Sequence, residues 1–157
     1  MSKASDENGD SNALLRGQVR QKLEAFLESG GHRRTPERFA VLDQIYQQGG
    51  HFDVDKLLLW MEDAGRKVSR ATLYNTIELL IEAGLVRKHQ FEEGFSQYEP
   101  GFPARQHDHI ILEDGAVLEF CDPRIQQIKR TLEAHFDIDI LHHSLHIYAR
   151  KKTADPE

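Results

Sequence analysis

The chain has 157 residues, of which 39% are hydrophobic and 29% charged, with a net charge of −6 and a single cysteine. This length fits one domain, or two small domains that share a core. One cysteine excludes an intramolecular disulfide and any zinc site built from several cysteines. No apolar run approaches the roughly 20 residues of a membrane span. Residues 1–12 are polar and acidic and contain no signal-peptide segment. We therefore expect a flexible tail at 1–12 and a cytoplasmic protein.

The charge is unevenly distributed along the chain. Residues 13–91 carry 12 Lys and Arg against 10 Asp and Glu, whereas residues 92–157 carry 7 against 13. Because phosphate is attracted only by the more basic part, this distribution predicts a two-part protein whose front part meets nucleic acid.

Four segments of the front part have apolar residues at helical spacing. They run from 13 to 29, from Thr35 to before Gly49, from Asp53 to Gly65 and from Ser69 to Gly84. Pro36 suits the first turn of the second helix, because its missing N–H has no partner to lose there. Two β-rich runs follow at 85–91 and 95–99, and the "EEG" between them predicts a hairpin.

Helices followed by a short hairpin are typical of a winged helix-turn-helix, in which the last helix enters the DNA major groove. The candidate DNA contacts lie early in the fourth helix and in the basic segment before the second helix. They are Arg33, Arg34, Arg70, Thr72, Tyr74 and Asn75. The alternatives are a helical domain with solvated arginines and a winged helix that binds protein.

The back part of the chain predicts a small α/β unit. Strands are expected at 107–112 and 116–120, a helix at 122–136 with Asp122 as its cap, and a third, longer strand at 137–152. A unit of about 50 residues buries little apolar surface alone. We therefore expect a second copy to cover its apolar face and its strand edges, which gives a homodimer.

Two histidines of the first of these strands lie on one face. Side chains alternate along a strand, so His107 and His109 point the same way and Asp108 points oppositely. Glu119, on the neighbouring strand, is within reach of both histidines. Imidazole and carboxylate together suit Zn²⁺, Fe²⁺ or Mn²⁺. The alternative is a polar strand face without a metal, with His143 as a hydrogen-bonded core histidine.

The segments "SRATLYNTIELLIEAGLV", "HQFEEGFSQYE", "HDHIIL", "VLEF" and "HHSLHIYAR" together resemble the ferric uptake regulator family over roughly residues 20–150. The resemblance implies a winged-helix DNA-binding domain at 13–100, an α/β dimerisation and metal-binding domain at 101–152 and a tail at 153–157. It also implies a homodimer that binds a double-stranded, AT-rich palindromic operator. One regulatory divalent metal per subunit would be held by residues of both domains: His51, Glu99, His107, His109 and Glu119.

The sequence departs from the family pattern at two other metal sites. Most members carry a structural zinc on two CxxC motifs, which a chain with one cysteine cannot form; Lys151 stands where a cysteine is often found. A second site of relatives maps to Gln106, Asp108, Gln126 and His143. Because glutamine is a poor ligand, we expect this second site to be weak or absent, with Asp108 and His143 hydrogen-bonded to each other.

The resemblance therefore predicts a metal-dependent, DNA-binding transcriptional repressor and not an enzyme. Fe²⁺ is favoured in vivo, because both regulatory carboxylates are glutamates whereas peroxide-sensing relatives favour aspartate. A zinc-, manganese- or peroxide-responsive member of the same family is the first alternative, and a metal-independent winged-helix regulator is the second. A small metalloenzyme would need an open coordination position, for which five candidate ligands leave little room.

Overall fold

The computed structural model describes residues 4–91, 96–103 and 107–152. The chain divides into two compact units, Met1–Ala104 and Arg105–Glu157. The division therefore falls four residues beyond the predicted boundary at 100/101. In the described part of the chain, no helix has the length and apolar character needed to cross a membrane.

The first unit is helical with a small antiparallel sheet. Its described elements are α1 Ala4–Ser29, α2 Pro36–Gln48, α3 Val54–Asp63, α4 Arg70–Glu82, β1 Val86–Gln90 and β2 Ser96–Pro100. Strands β1 and β2 pair with each other. This is the order of a winged helix-turn-helix, with α4 in the place of the recognition helix and β1–β2 as the wing. The predicted "EEG" turn at 92–94 lies outside the described residues.

Helix α1 begins at Ala4 and not near residue 13. Residues 4–12, which the sequence predicted to be a flexible tail, are therefore helical. Residues 4–12 have no apolar periodicity, which is the sequence pattern that predicts an amphipathic helix. Extending an existing helix costs no new nucleation, so polar residues can continue it without an apolar stripe of their own. The predicted tail at 153–157 lies outside the described residues.

Side-chain caps fix the beginnings of α3 and α4. Asp53 accepts a hydrogen bond from the Lys56 backbone N–H at 2.7 Å, and Ser69 accepts one from the Thr72 N–H at 3.1 Å. Each bond satisfies one of the backbone donors that a helix start leaves without an intrahelical partner. Thr35 precedes α2 as predicted but makes no side-chain cap bond.

The apolar stripes of all four helices meet in the core of the first unit. Leu23, Leu42, Leu57 and Leu73 come one from each helix and are fully buried. Burying such a side chain contributes about 1.5–3 kcal/mol relative to leaving it exposed. The core thus holds the start of α4 at a fixed position on the surface of this unit.

The second unit contains, among its described residues, one helix and a three-stranded sheet of order β4-β3-β5. The elements are β3 Asp108–Leu112, β4 Val117–Phe120, α5 Pro123–Phe136 and β5 His146–Ala149. Strand β3 pairs antiparallel with β4 and parallel with β5. Asp122 caps α5 as predicted, by accepting from the Arg124 N–H at 2.9 Å.

The long strand predicted at 137–152 is wrong in its extent, because only His146–Ala149 form a strand. The parallel register places His146 opposite His109 and Ala149 opposite Leu112. Residues before Leu145 therefore run past the beginning of β3. A strand extends only as far as a neighbour supplies ladder hydrogen bonds, and β3 supplies none there.

Candidate metal centre and nucleic-acid interface

The first unit places two imidazoles against one buried carboxylate. Glu99 lies in β2, and its side chain is 3% exposed. Its Oε2 lies 3.2 Å from His51 Nε2, and its Oε1 lies 2.6 Å from His89 Nε2. The structure therefore brings together the two ligands predicted for this unit, His51 and Glu99. It adds His89, which is not among the predicted ligands.

Backbone pairing explains why these three side chains meet. The segment that carries His51 is bound to β2 by two hydrogen bonds between Phe52 and Tyr98, at 2.8 and 2.7 Å. In the β1–β2 ladder, Arg87 pairs with Glu99, so His89 is the diagonal neighbour of Glu99 on the same face. The sequence predicts the hairpin that contains both residues, but His89 can be identified as a neighbour of Glu99 only when the register of the two strands is known.

A carboxylate as buried as Glu99 is stable only with compensating partners. The two imidazoles supply hydrogen-bonding nitrogens, and Arg87 Nη1 lies 4.0 Å from Glu99 Oε1. The site is therefore built to hold a negative charge away from water. Such a charge also attracts a divalent cation, which interacts with it more strongly than in solvent.

The second unit brings His107, His109 and Glu119 together. Each offers a ligand atom within 4.8 Å of the other two. His107 Nε2 lies 3.7 Å from Glu119 Oε1, and the rings of His107 and His109 have centroids 4.9 Å apart. The ladder pairs His109 directly with Glu119. The shared face predicted from strand alternation is therefore present, and His109 is buried on it.

His146 is a second histidine that is near the candidate site but is not among the predicted ligands. It pairs with His109 in the β3–β5 ladder, and the two ring centroids lie 5.8 Å apart. His146 can be identified as a neighbour of His109 only when the first residue of β5 is known, and the sequence pattern does not predict where β5 begins.

Asp108 and His143 form a separate pair on the other side of β3. His143 Nε2 lies 2.9 Å from Asp108 Oδ1, which confirms the predicted hydrogen bond. Gln106 lies outside the described residues. In the described ranges, no other His, Cys, Asp or Glu forms a metal-sized group with this pair. Two ligand-type side chains alone make a weak site for a cation.

The donor chemistry of both units fits a divalent metal of the first transition row. Imidazole nitrogen and carboxylate oxygen suit Fe²⁺, Mn²⁺ and Zn²⁺, whereas the softer Cu⁺ prefers thiolate. The lone Cys121 is exposed and belongs to neither cluster.

The predicted DNA contacts at the start of α4 lie on the surface. Tyr74 is 48% exposed, and Asn75 is exposed beside it. Thr72 is half-buried, and its hydroxyl lies 2.9 Å from that of Ser69 in the helix cap. Arg70 forms an ion pair with Asp55 of α3. Arg70, Tyr74 and Asn75 are therefore all exposed, and Tyr74 and Asn75 are the two exposed residues that are not held by this ion pair.

The basic residues near α2 differ in their surroundings. Arg33 and Arg34 are both exposed; Arg34 pairs with Glu24 of α1, and its guanidinium lies 5.3 Å from the centre of the Phe39 ring. A groove of about 510 Å³ lies between the starts of α2 and α4, with Thr72 and Asn75 in its lining. Two basic residues that the sequence analysis did not select line the same groove: Arg38 and Lys67.

The sequence model of the ferric uptake regulator family matches residues 29–148 of this chain. The ferric uptake regulation protein of Rhizobium leguminosarum bv. viciae is 30% identical over 131 residues, which are 83% of this chain and 92% of that protein. The crystal structure of the Vibrio cholerae ferric uptake regulator is 30% identical with a TM-score of 0.71, covering 80% of this chain and 96% of that one. The Pseudomonas aeruginosa ferric uptake regulator with manganese is 26% identical with a TM-score of 0.71, covering 83% and 98%.

These likenesses confirm the predicted fold class, an N-terminal winged helix-turn-helix followed by a small α/β unit. They extend over both units and not over the winged helix alone, since the matched residues run from the end of α1 into β5. The chain belongs to the ferric uptake regulator family.

Proposed function

We propose that this chain is a metal-dependent, DNA-binding transcriptional repressor of the cytoplasm that responds to Fe²⁺ and controls metal-uptake genes. The observation that carries the proposal is the grouping of the ligands within each unit. His51 and Glu99 lie together in the winged-helix unit, and His107, His109 and Glu119 lie together in the second unit. We assign these five side chains to one regulatory metal per subunit.

A bound divalent cation supplies a positive charge and directed coordination bonds that both sets of ligands can share. The backbone hydrogen bonds between Phe52 and Tyr98 hold His51 and Glu99 in place within the winged-helix unit. A metal bound by these two ligands would therefore be attached to the whole unit. His107, His109 and Glu119 are anchored by the β3–β4 ladder. Sharing one ion favours the arrangements in which the two sets can meet, and a coupling of about 1–3 kcal/mol is typical of such linkage.

The DNA partner is proposed to be an AT-rich palindromic duplex bound by a homodimer. Tyr74 and Asn75 are placed to meet base edges in the major groove, and Lys67 and Arg38 to meet phosphate. Exposed apolar residues of the second unit support the homodimer, since α5 has no buried residue in the single chain. Two recognition helices related by a twofold axis then read two half-sites.

Fe²⁺ is proposed as the effector because both carboxylates of the assigned site are glutamates, whereas the family resemblance implies aspartate in peroxide-sensing members. A response to Mn²⁺ is the second candidate, and the manganese of the Pseudomonas aeruginosa structure supports it. The ligand types do not separate the two ions, because both accept nitrogen and oxygen donors.

The test is an anaerobic titration of metal-free protein with Fe²⁺, Mn²⁺ or Zn²⁺, read out by binding to a palindromic AT-rich duplex. We expect DNA affinity to rise with metal in the wild-type protein and His109→Ala to abolish this rise while the dimer persists. The matched control is His142→Ala, at an exposed histidine of the segment before β5. Metal-dependent binding that survives His109→Ala contradicts the assigned site, and DNA binding without any metal dependence favours the metal-independent regulator.

A further inference from the structure

We propose that the DNA duplex is also bound outside the major groove, at a phosphate site formed by three arginines of the winged-helix unit. Arg20, Arg34 and Arg66 line a groove of about 430 Å³ between α1, the start of α2 and the loop after α3. This arginine groove takes one phosphate of the sugar-phosphate backbone. The inference rests on the proposed function, because it adds a contact to the same DNA partner, and Arg20 and Arg66 are not among the predicted DNA contacts.

The lining of the arginine groove has an excess of positive charge. It contains three guanidiniums and one carboxylate, that of Asp43, although the whole chain has a net charge of −6. A local excess of positive charge on an acidic chain attracts an anion to that place and not to the rest of the surface. Guanidiniums suit phosphate in particular, because their N–H donors can bind two phosphate oxygens at once.

One aromatic ring holds two of the three guanidiniums in position. The Cζ atoms of Arg20 and Arg34 lie 5.2 and 5.3 Å from the centre of the Phe39 ring. Phe39 is buried in the core, so its own position is fixed. A guanidinium over an aromatic face is attracted to it. A site whose charged groups are already positioned loses less conformational entropy when an anion binds.

Ion pairs of the arginines leave donors for a phosphate. Arg20 pairs with Asp43 and Arg34 with Glu24, each through Nη1, and the two arginine side chains are 47% and 66% exposed. A guanidinium has five N–H donors, and exposed ion pairs contribute little to stability, so both arginines can also bind an anion. Arg66 is exposed and has no ion-pair partner in the described part of the chain.

The arginine groove adjoins the groove between the starts of α2 and α4. Thr35 lines both grooves, and the second one also contains Thr72 and Asn75 of the recognition helix. Arg66 and Lys67, which are consecutive in the chain, line one groove each. A helix in the major groove has a sugar-phosphate backbone on either side. A duplex read by α4 therefore brings a backbone to this side of the winged-helix unit.

Arg66→Gln tests the site most directly, because it removes a charge without depriving a described carboxylate of its partner. We expect the full chain loaded with Mn²⁺ to bind the palindromic AT-rich duplex about five- to tenfold more weakly at about 0.1 M salt. The slope of log affinity against log salt concentration should become smaller by about 0.9. Fluorescence anisotropy at several salt concentrations measures both, and the loss should be the same on an unrelated duplex because a phosphate contact carries no sequence information.

Two further variants separate a local contact from a general effect of charge. Arg66→Lys keeps the positive charge and should keep the wild-type slope. The matched control is Lys22→Gln on α1, which should also keep that slope. Lys22 is exposed and lies about 200° of helix rotation from Arg20, so it faces away from the arginine groove, and its Nζ lies 4.5 Å from the centre of the Phe102 ring.

Arg34→Gln is the second variant within the groove and should reproduce the effect of Arg66→Gln. Far-UV circular dichroism checks that each variant is folded. An unchanged salt slope in folded Arg66→Gln and Arg34→Gln overturns the proposal, and so does an equal reduction of the slope in Lys22→Gln.

Replacing one backbone phosphate at a time by a neutral methylphosphonate locates the contact. One such replacement in each half-site should weaken binding by the wild-type protein but weaken Arg66→Gln little further, because the same contact is already lost. Losses that add independently at every phosphate would show that Arg66 binds none of them, which overturns the proposal.

The same measurements separate this proposal from the proposed function. A wild-type protein that binds neither duplex, with or without metal, overturns both. Metal-stimulated binding to the palindromic duplex that Arg66→Gln and Arg34→Gln retain in full leaves the proposed repressor standing and overturns only the arginine groove.

Discussion

His143 Nε2 lies 2.9 Å from Asp108 Oδ1, and this hydrogen bond joins the first residue of β3 to the segment that precedes β5. Asp108 is buried, so its carboxylate depends on this partner. The second metal site of relatives maps to four positions of this chain, and two of these positions hold glutamine. Asp108 and His143 are the other two, and they bind each other. The two residues are therefore assigned to stabilising the second unit and not to binding a cation.

Replacing His143 by alanine should destabilise the protein by about 1–3 kcal/mol, because it leaves a buried carboxylate without its hydrogen bond. Urea denaturation at a fixed protein concentration measures the change. His142→Ala is the matched control; His142 is exposed, and its loss should change the free energy of unfolding by no more than about 0.5 kcal/mol. Equal effects of the two substitutions would contradict the structural role of the pair.

Lys151 connects the end of the second unit to the turn after β3. Its Nζ lies 2.7 Å from Asp114 Oδ2, and this hydrogen bond, together with one from the Ala116 N–H, holds the pKa of Asp114 below its ordinary value. A carboxyl with a lowered pKa stabilises the fold above its unfolded value, about 4, and loses that contribution as the pH falls through the folded pKa. The pair is solvent-exposed, so salt should weaken it.

Lys151→Met should therefore raise the pKa of Asp114 towards its ordinary value, as measured by NMR titration of the side-chain carboxyl carbon. Lys152→Met, the neighbouring substitution, should leave the Asp114 titration as it is in the wild-type protein. A titration of Asp114 that is identical in Lys151→Met and wild type would show that the ion pair does not form in solution.

The elements that the sequence predicted well are those with local signals. Asp53, Ser69 and Asp122 mark helix starts by side-chain capping, which depends only on residues a few positions away. The shared face of His107 and His109 likewise follows from strand alternation alone. These signals were enough to predict the helices of the winged helix, the first two strands of the second unit and three members of the candidate site.

The features that the sequence did not predict depend on pairing between distant segments. His89 is seen as a neighbour of Glu99, and His146 as a neighbour of His109, only once the strand registers are known. The extent of β5 depends on where β3 begins, and the pattern of residues 137–145 carries no such information. His51 and Glu99 entered the candidate site through the family resemblance, because no local pattern connects residues 48 positions apart.

Tyr46 should make the stability of the first unit depend on alkaline pH. Its hydroxyl donates to the Leu85 carbonyl at 2.7 Å and accepts from the Phe102 N–H at 3.0 Å, and burial raises its pKa to about 12. An unfolded tyrosine ionises near pH 10, so between about pH 10 and 12 the unfolded state binds fewer protons than the folded state. The free energy of unfolding therefore falls as the pH rises from about 10 to 12. Below about pH 10, the stabilisation that Tyr46 contributes is fully present.

Tyr46→Phe removes both hydrogen bonds and this titration. We expect it to be less stable than the wild-type protein by about 0.5–1.5 kcal/mol at pH 8, with the difference narrowing above about pH 10. Urea denaturation at a series of pH values measures both effects. Tyr74→Phe, at an exposed tyrosine, should follow the wild-type pH dependence; a constant difference between Tyr46→Phe and wild type up to about pH 12 would contradict the argument.

Lys67 and Asn75 line the same groove but should contribute differently to DNA binding. Under the proposed function, Lys67→Ala removes a phosphate contact, so it should weaken binding to all sequences alike and reduce the slope of affinity against salt by about one ion. Asn75→Ala should cost about 1–3 kcal/mol on the preferred operator and little on unrelated DNA. Fluorescence anisotropy with both duplexes at several salt concentrations separates the two patterns, and Asn75→Ala losses that are equal on both duplexes would argue against base contact.

The exposed apolar residues of α5 should form the interface between two copies of the chain. Ile128 and Phe136 are 57% and 62% exposed, and they recur at helical spacing on a helix with no buried residue. A charged residue on this face removes the stabilisation that the buried apolar side chain gives to the dimer. The dimer would also have to bury an unpaired charge, whose desolvation is unfavourable. Ile128→Asp should therefore shift the protein from dimer to monomer in sedimentation equilibrium, and metal-stimulated operator binding should fall with it because a monomer reads one half-site. Arg130→Asp, at an exposed polar position of the same helix, should leave the dimer intact; a dimer that persists in Ile128→Asp would place the interface elsewhere.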